Sequence, residues 1–421
     1  MADYLPLNGG EVEAAGGSGG RRARLVSLDV FRGLSVALMI LVDYAGSHVP
    51  SIAHSPWNGL RLADVVMPFF LFIVGLSLAL VYKKVSDKIS AAYKATLRAI
   101  KLFLLGILLQ GGYFHGINSL TYGVDVERIR WLGILQRISI GYIIAALCEI
   151  WFRNLRQGDR RWRLVKLNHF HWLFALSLSA IYLGLLYGLY VPDWKFKGPE
   201  SIAAASSSSA NYTIYTVKCG VRGNLGPACN SAGMIDRSIL GLEHLHTKPV
   251  YRNLKECMIS GNGDVLESIP SWCLSPFEPE GILSSFSAAV TCIIGLHFGH
   301  ALINFEDHKD RIFSWLTSSA LLISIGLLLT LVGIPINKSL YTTSYMLLTS
   351  ALAGLVFCAL YILVDVYSYR RVLFPLEWMG RHSLSIFVVV ASNLGVIAIQ
   401  GFYKASPENN IVHWITHLVG T

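Results

Sequence analysis

A histidine, a tight turn and an aspartate share one short stretch, from His54 through Trp57, Asn58 and Gly59 to Asp64. Imidazole suits two jobs near neutral pH: taking a proton from an amine, or carrying an acyl group. Asp64 sits near the start of an apolar run from Leu62 to Tyr82 that is broken only by Asp64, Gly75 and Ser77. At ~1.5 Å per residue such a run crosses a bilayer as a helix. At ~100° per residue, Asp64, Pro68, Phe72 and Gly75 fall on one face. A carboxylate there is costly unless it turns to the bundle interior or a wet cavity. Asp64 can orient His54 through a ring N–H, and so can Asp43 on the preceding span. Asn58 and the backbone around Gly59 can donate hydrogen bonds to an oxyanion. The chemistry this set suggests is acyl transfer to an amine, with catalytic candidates His54, Asp64, Asp43 and Asn58. The plain alternative is that Asp64 caps a helix start and His54 is a loop histidine.

Other polar residues stand where they cost free energy. Gln136 and Arg137 lie inside an apolar span, and Arg137 must pair with a neighbour or meet a phosphate. Glu280 opens a span, as a residue favoured by the helix dipole or as part of a site. Asn337 and Lys338 occupy a turn between spans and are candidate substrate contacts, with Glu280. Asp29 and Arg32 are one helical turn apart and should pair. Asp236 and Arg237 read as a pair that folds a loop, and His244 and His246 as surface histidines.

These residues need a membrane scaffold. Of 421 residues, 53% are hydrophobic and 14% charged, with mean hydropathy +0.50; soluble domains carry about 25% charged residues. The expected fold is an all-α polytopic membrane protein of about nine transmembrane helices. The spans run near 30–45, 62–82, 99–113, 131–152, 171–191, 282–303, 312–332, 345–366 and 378–399. Lys83, Lys84 and Lys88, then Arg153 to Lys166, then Lys309 and Arg311, then Arg370 and Arg371 all fall on one side by alternation. Arg21, Arg22 and Arg24 join them, which places the N-terminus in the cytosol. The net charge of +9 therefore reads as orientation signals and not as nucleic-acid binding. Residues 1–24 are Gly- and Ala-rich, are expected to be disordered, and contain no signal-peptide apolar core. Residues 25–191 hold the first five spans and the catalytic loop, 279–402 the last four, and 403–421 a short tail.

Residues 192–278 form one large loop on the lumenal side. It contains Cys219, Cys229, Cys257 and Cys273; Cys148, Cys292 and Cys358 lie in apolar spans and read as small buried hydrophobes. Four cysteines in an oxidising compartment predict two disulfides, and three pairings are open. No CxxC spacing points to zinc, and no metal is expected. Asn211-Tyr212-Thr213 is a glycosylation sequon in the same loop.

The order His-x-x-Trp-x-Gly-x-x-x-x-Asp-x-x-x-Pro-x-Phe-x-Phe, preceded by Ser27-Leu28-Asp29-Val30-Phe31-Arg32-Gly33, resembles the heparan-alpha-glucosaminide N-acetyltransferase family, its plant members most. Further matching blocks are Leu135-Gln136-Arg137, Ile235-Asp236-Arg237, Pro279-Glu280-Gly281-Ile282-Leu283 and Pro335-x-Asn337-Lys338. The resemblance implies a multi-pass endomembrane enzyme of lysosome or vacuole, a possible homodimer. It would take acetyl from cytosolic acetyl-CoA and place it on a lumenal amino-sugar amine, with His54 as the essential histidine. Under it, Arg137, Gln136 and Arg32 are candidate contacts to acetyl-CoA. The family commonly has asparagine where Asp43 and His382 stand here, and further membrane helices beyond the end of this chain. The rival classes are a transporter, which intramembrane charges and a kinked helix would also serve, and a noncatalytic scaffold.

Overall fold

The computed structural model describes residues 25–391, apart from 47–48, 50, 84, 86, 111–129, 153–168, 198–213, 246–248, 258–269 and 276–278. Asn211, His246, residues 1–24 and the tail from 392 lie outside the described residues, as do most of the basic loops.

Apolar composition sets the architecture. The long helices are α1 (Val26–Ala45), α2 (Leu62–Val81), α3 (Lys88–Gln110), α4 (Ile134–Phe152) and α5 (His169–Gly188). After the intervening segment come α7 (Ile282–Asn304), α8 (His308–Leu331) and α9 (Thr343–Tyr361), which ends in a π turn at Ile362–Val366. Two short helices follow, α10 (Phe374–Arg381) and α11 (Ser383–Ala391). Six of the described helices are long and apolar enough to cross a membrane: α2, α4, α5, α7, α8 and α9 with its π turn. These six fall within the nine expected spans, and parts of the third and ninth expected spans lie outside the described residues. Helix α1 holds three ionisable residues, Asp29, Arg32 and Asp43, and α3 holds Lys88, Lys94, Arg98 and Lys101. Charge, not length, separates these two from the six. In the described part of the ninth expected span, the helix is interrupted at His382, between α10 and α11.

Helices α2 and α7 form the centre. Gly75 of α2 faces the carbonyl of Cys292, and Gly295 of α7 faces the carbonyl of Phe72; a Cβ at either would collide with backbone. Small residues permit this approach, and close backbone packing replaces the hydrophobic drive that lipid removes. Gly33 of α1 and Gly380 of α10 repeat the device, against the carbonyls of Leu376 and Asp29. Within its most apolar stretch α7 is 83% buried in protein, whereas α8 is 22% buried. So α7 is a core helix, and α8 turns Phe313, Leu321, Leu328 and Leu331 outward, as a lipid-facing helix does.

The segment expected as a loop is partly folded, so the fold is not wholly α. Strand β1 (Tyr190–Val191) pairs antiparallel with β4 (Val221–Arg222), and β2 (Trp194–Lys197) with β3 (Ile214–Val217). The β2–β3 register sets Trp194 opposite Val217 and Phe196 opposite Tyr215. Helix α6 (Ser231–Leu240) follows, with Asn230 as N-cap accepting from Gly233 N–H at 2.7 Å. Disulfides join Cys219 to Cys229 and Cys257 to Cys273, so neighbours in sequence pair. The other three cysteines are free and buried, as expected. Asp236 on α6 accepts from Ile282 N–H at 2.8 Å, at the first residue of α7. Burial pushes its carboxyl up to about 6, against these backbone bonds and the nearby arginines. The Arg237 guanidinium lies over Trp194, 4.0 Å from the ring centre.

Candidate functional site

Asp64 builds the site. It occupies the third position of α2 and is fully buried. Its Oδ2 accepts from Ser55 N–H at 3.2 Å and Arg61 N–H at 3.0 Å. These bonds fold the 54–61 loop back over the helix start. Its Oδ1 lies 2.9 Å from His54 Nδ1. Tyr345 Oη reaches the Asp64 carbonyl from α9 at 2.5 Å. Asp64 thus caps the helix and orients His54 at once. His54 remains about one-third exposed, open to a reactant.

Lys338 meets the same imidazole. Its Nζ is 3.2 Å from His54 Nδ1 and 3.7 Å from Glu280 Oε1. A ring nitrogen holds one proton, so Nδ1 serves Asp64 as donor or Lys338 as acceptor, one at a time. Glu280 Oε2 accepts from Arg137 at 2.6 Å and lies 3.5 Å from Arg130. Asp64, His54, Lys338, Glu280 and Arg137 therefore form one charged chain drawn from distant parts of the sequence. Arg137 is 1% exposed, and its Nε has no hydrogen-bond partner among the described residues.

The asparagines have a different place. Asn337 donates to Asn58 Oδ1 at 3.1 Å, and Gly59 N–H donates to Ile336 O at 2.8 Å. Asn337 Oδ1 accepts from Leu340 N–H, and its own N–H reaches Thr342 Oγ1. The structure puts the Asn337 amide into the turn's own bonds, fully buried. Its role is to clasp the 54–61 loop to the turn that carries Lys338. Asn58 shares this clasp and stays exposed at its surface. Trp57 anchors the loop on the other side, its Nε1 donating to Leu225 O at 2.9 Å. Gln136 is buried against Gly106, with no partner for its amide among the described residues.

A cavity of about 490 Å³ connects these groups to the far end of the bundle. His54, Lys338, Glu280, Arg137 and Asp43 line one end. Along α2 the lining runs from Ala63 to Val81, about 27 Å at ~1.5 Å per residue. The other end is lined by Arg32, Ser77, Arg98, Arg381 and His382. Arg32 pairs with Asp29 at 3.0 Å and donates to Ser77 Oγ at 3.2 Å. Arg381 pairs with Glu377, and Arg98 lies over the Tyr142 ring. Asp29 and Glu377 are not among the lining residues, so the cations face the cavity and their carboxylates stand behind. Arg32 was expected as a contact and lines this cavity; Arg98, Arg381 and His382 line it too and were not singled out, because basic residues beside spans read as orientation signals.

Among the described residues no cluster of histidine, cysteine, aspartate or glutamate is arranged to hold a metal ion.

The sequence model of the heparan-alpha-glucosaminide N-acetyltransferase catalytic region matches residues 24–157. That range carries α1, α2, the 54–61 loop and Arg137. The chain is 28% identical to the Mus musculus heparan-alpha-glucosaminide N-acetyltransferase, over 94% of this chain and 58% of the relative. It is 27% identical to the Homo sapiens protein of the same name, over 87% of this chain and 52% of that one. The chain spans little more than half the length of these curated relatives.

Proposed function

For a chain related to the heparan-alpha-glucosaminide N-acetyltransferases, we propose transmembrane acetyl transfer from acetyl-CoA to an amine. The observation that carries this reading is the cavity, with a cationic end at Arg32, Arg98 and Arg381 and a base at His54. Guanidinium groups suit the phosphates of a nucleotide thioester. The pantetheine arm then has an apolar path along α2, past Met67, Phe70 and Val74, to His54. The volume of about 490 Å³ lies within the usual ligand-pocket range of ~300–1,000 Å³.

His54 is the group that moves a proton or carries the acetyl. Asp64 holds the ring by accepting the Nδ1 proton in a hydrogen bond. Arg137 serves Glu280 and through it Lys338, which assigns it to the acceptor end and not to the CoA phosphates. Asp43 adds a carboxylate facing the same chamber and interacts with His54 electrostatically. Glu280 and Lys338 would bracket the accepting amine, an amino sugar or related nucleophile.

The cationic end lies on the side of the basic loops, so we assign it to the cytosol together with the N-terminus. The disulfide-bearing segment 192–278 then faces the lumen of an endomembrane compartment of lysosomal or vacuolar type, where Asn211 would carry a glycan. Transfer of radiolabelled acetyl to a panel of amino sugars, in sealed vesicles with acetyl-CoA outside, tests the reading. Label should reach acceptors loaded inside the vesicles, and His54→Ala should abolish it. A folded wild-type protein that neither binds acetyl-CoA nor labels any amine refutes it.

A further inference from the structure

Lys338 brings its own amine against the His54 ring, beside the place assigned to the acceptor. Its Nζ is nearer to His54 Nδ1, at 3.2 Å, than to Glu280 Oε1, at 3.7 Å. Glu280 already receives Arg137 at 2.6 Å, so its charge is met without the lysine. Lys338 lines the cavity beside His54, on the path assigned to the thioester. Resting on the acetyltransferase reading, we propose that Lys338 is itself an acetylation site, modified by the enzyme's own His54 when no acceptor is bound.

The chemistry balances with an acetyl thioester as the only co-reactant. Lys338 ammonium gives one proton to His54 Nδ1, and Asp64 Oδ1, 2.9 Å away, accepts the new N–H. The freed amine attacks the thioester carbonyl carbon. A C–N bond forms and the C–S bond breaks, with the electron pair leaving on sulfur. The second proton lost by nitrogen ends on the thiolate, giving free thiol, and His54 returns its proton to solvent. The product is an amide, so the acetyl group does not move on. Acetylation also removes the lysine charge, which leaves Glu280 to its arginines and takes a cation from the imidazole. Acetylated chains would be a slowed population that builds up when donor is present and acceptor scarce.

The test incubates the purified full chain with acetyl-CoA and no acceptor, then maps acetyl-lysine by mass spectrometry of chymotryptic peptides. Lys338 should be acetylated ahead of the exposed Lys88 and Lys309. The acetylated fraction at early times should fall on the order of 10²-fold in His54→Ala, as for loss of a positioned base. His54→Gln, checked for an unchanged melting temperature, should fall likewise and guards against misfolding of the first variant. Unmodified Lys338 in a preparation that acetylates an added amino sugar overturns the inference and leaves the acetyltransferase reading standing. Acetylation of Lys338 at the rate of Lys309, or undiminished in both His54 variants, overturns it as simple chemical modification. A preparation that fails to bind acetyl-CoA or acetylate any amine overturns both.

Discussion

Replacing Asp64 by asparagine tests the centre of the site with little change in shape. Asp64 accepts three hydrogen bonds: Ser55 N–H, Arg61 N–H and the His54 ring nitrogen. An asparagine can keep its oxygen toward the two backbone donors, so the loop stays folded. Its NH₂ must then point at His54 Nδ1 and donate to it. That ties up the Nδ1 lone pair and moves the ring proton to Nε2. Neither nitrogen can then act as a base, whichever one reacts in the wild type. A buried dyad forced into the wrong tautomer has cost about 10⁴ in rate in another enzyme; His54 is one-third exposed, so a loss of about 10²–10⁴ is expected here. Bonds to a charged group contribute about 1.5–3 kcal/mol each. The Asp64→Asn protein keeps the two backbone bonds at neutral-acceptor strength, so about 1–3 kcal/mol of stability should go. Asp64→Ala loses all three and leaves the buried Ser55 N–H unmet, for roughly 3–6 kcal/mol. Acetyl-transfer rate and detergent melting temperature, measured on the same preparations, separate the two effects. A stable Asp64→Asn protein within about threefold of wild-type rate would refute the orienting role.

Three other outcomes follow from the geometry. Arg98→Ala combined with Arg381→Ala should raise KM for acetyl-CoA about tenfold or more, with kcat little changed, since on the proposed reading these cations would meet only the nucleotide; titration with CoA by calorimetry checks it. Gly295→Leu should lower the melting temperature sharply, because a side chain against the Phe72 carbonyl forces α2 and α7 apart at a cost of about 1–3 kcal/mol or more; an unchanged melting temperature would deny the close approach. The Asp236 carboxyl, raised to about 6 by burial, binds more protons folded than unfolded. Its contribution to stability is full below ~4, its ordinary range, and is lost as pH rises through about 6. Asp236→Asn should therefore flatten the difference in melting temperature between about pH 4 and about pH 7, and an unaltered pH slope would remove the assignment.

What could be read from sequence was what is local. The Asp29–Arg32 pair lies one turn apart and forms at 3.0 Å. Asp64 follows His54 closely enough for a helix start and its preceding loop to close on each other. The four loop cysteines form two disulfides, but their pairing needed the β3–β4 turn and the short helical turns that bring them together. Arg137 and Glu280 are 143 residues apart, and Asn58 and Asn337 are 279 apart. No period or spacing links such partners, so the sequence left Arg137 open between a paired neighbour and a phosphate and could not name Glu280 as its partner or Asn58 as that of Asn337. Six of the nine expected spans are long and apolar enough among the described residues; hydropathy smooths over charges such as Asp29, Arg32 and Asp43, which α1 carries into its packing against α2, α9 and α10. The two small antiparallel sheets escaped notice because a strand as short as Tyr190–Val191 leaves no alternating pattern.

The glycine contacts bear on how the chamber opens. Gly75 and Gly295 lock α2 to α7 backbone against backbone, and Gly33 and Gly380 lock α1 to α10 in the same way. The cavity has α2 on one wall, α1, α10 and α11 on another, and α3 and α4 on a third, so it runs along a seam bordered by both clamped pairs. Neither clamp can slide without driving a carbonyl into a neighbouring backbone. On the proposed reading, widening the seam to admit a bulky donor would be a movement of one pair as a plank against the other, with the breadth set by side chains such as Met39 and Phe70. A cross-link bridging the planks would arrest turnover with both clamps intact, while one placed inside either plank would be silent.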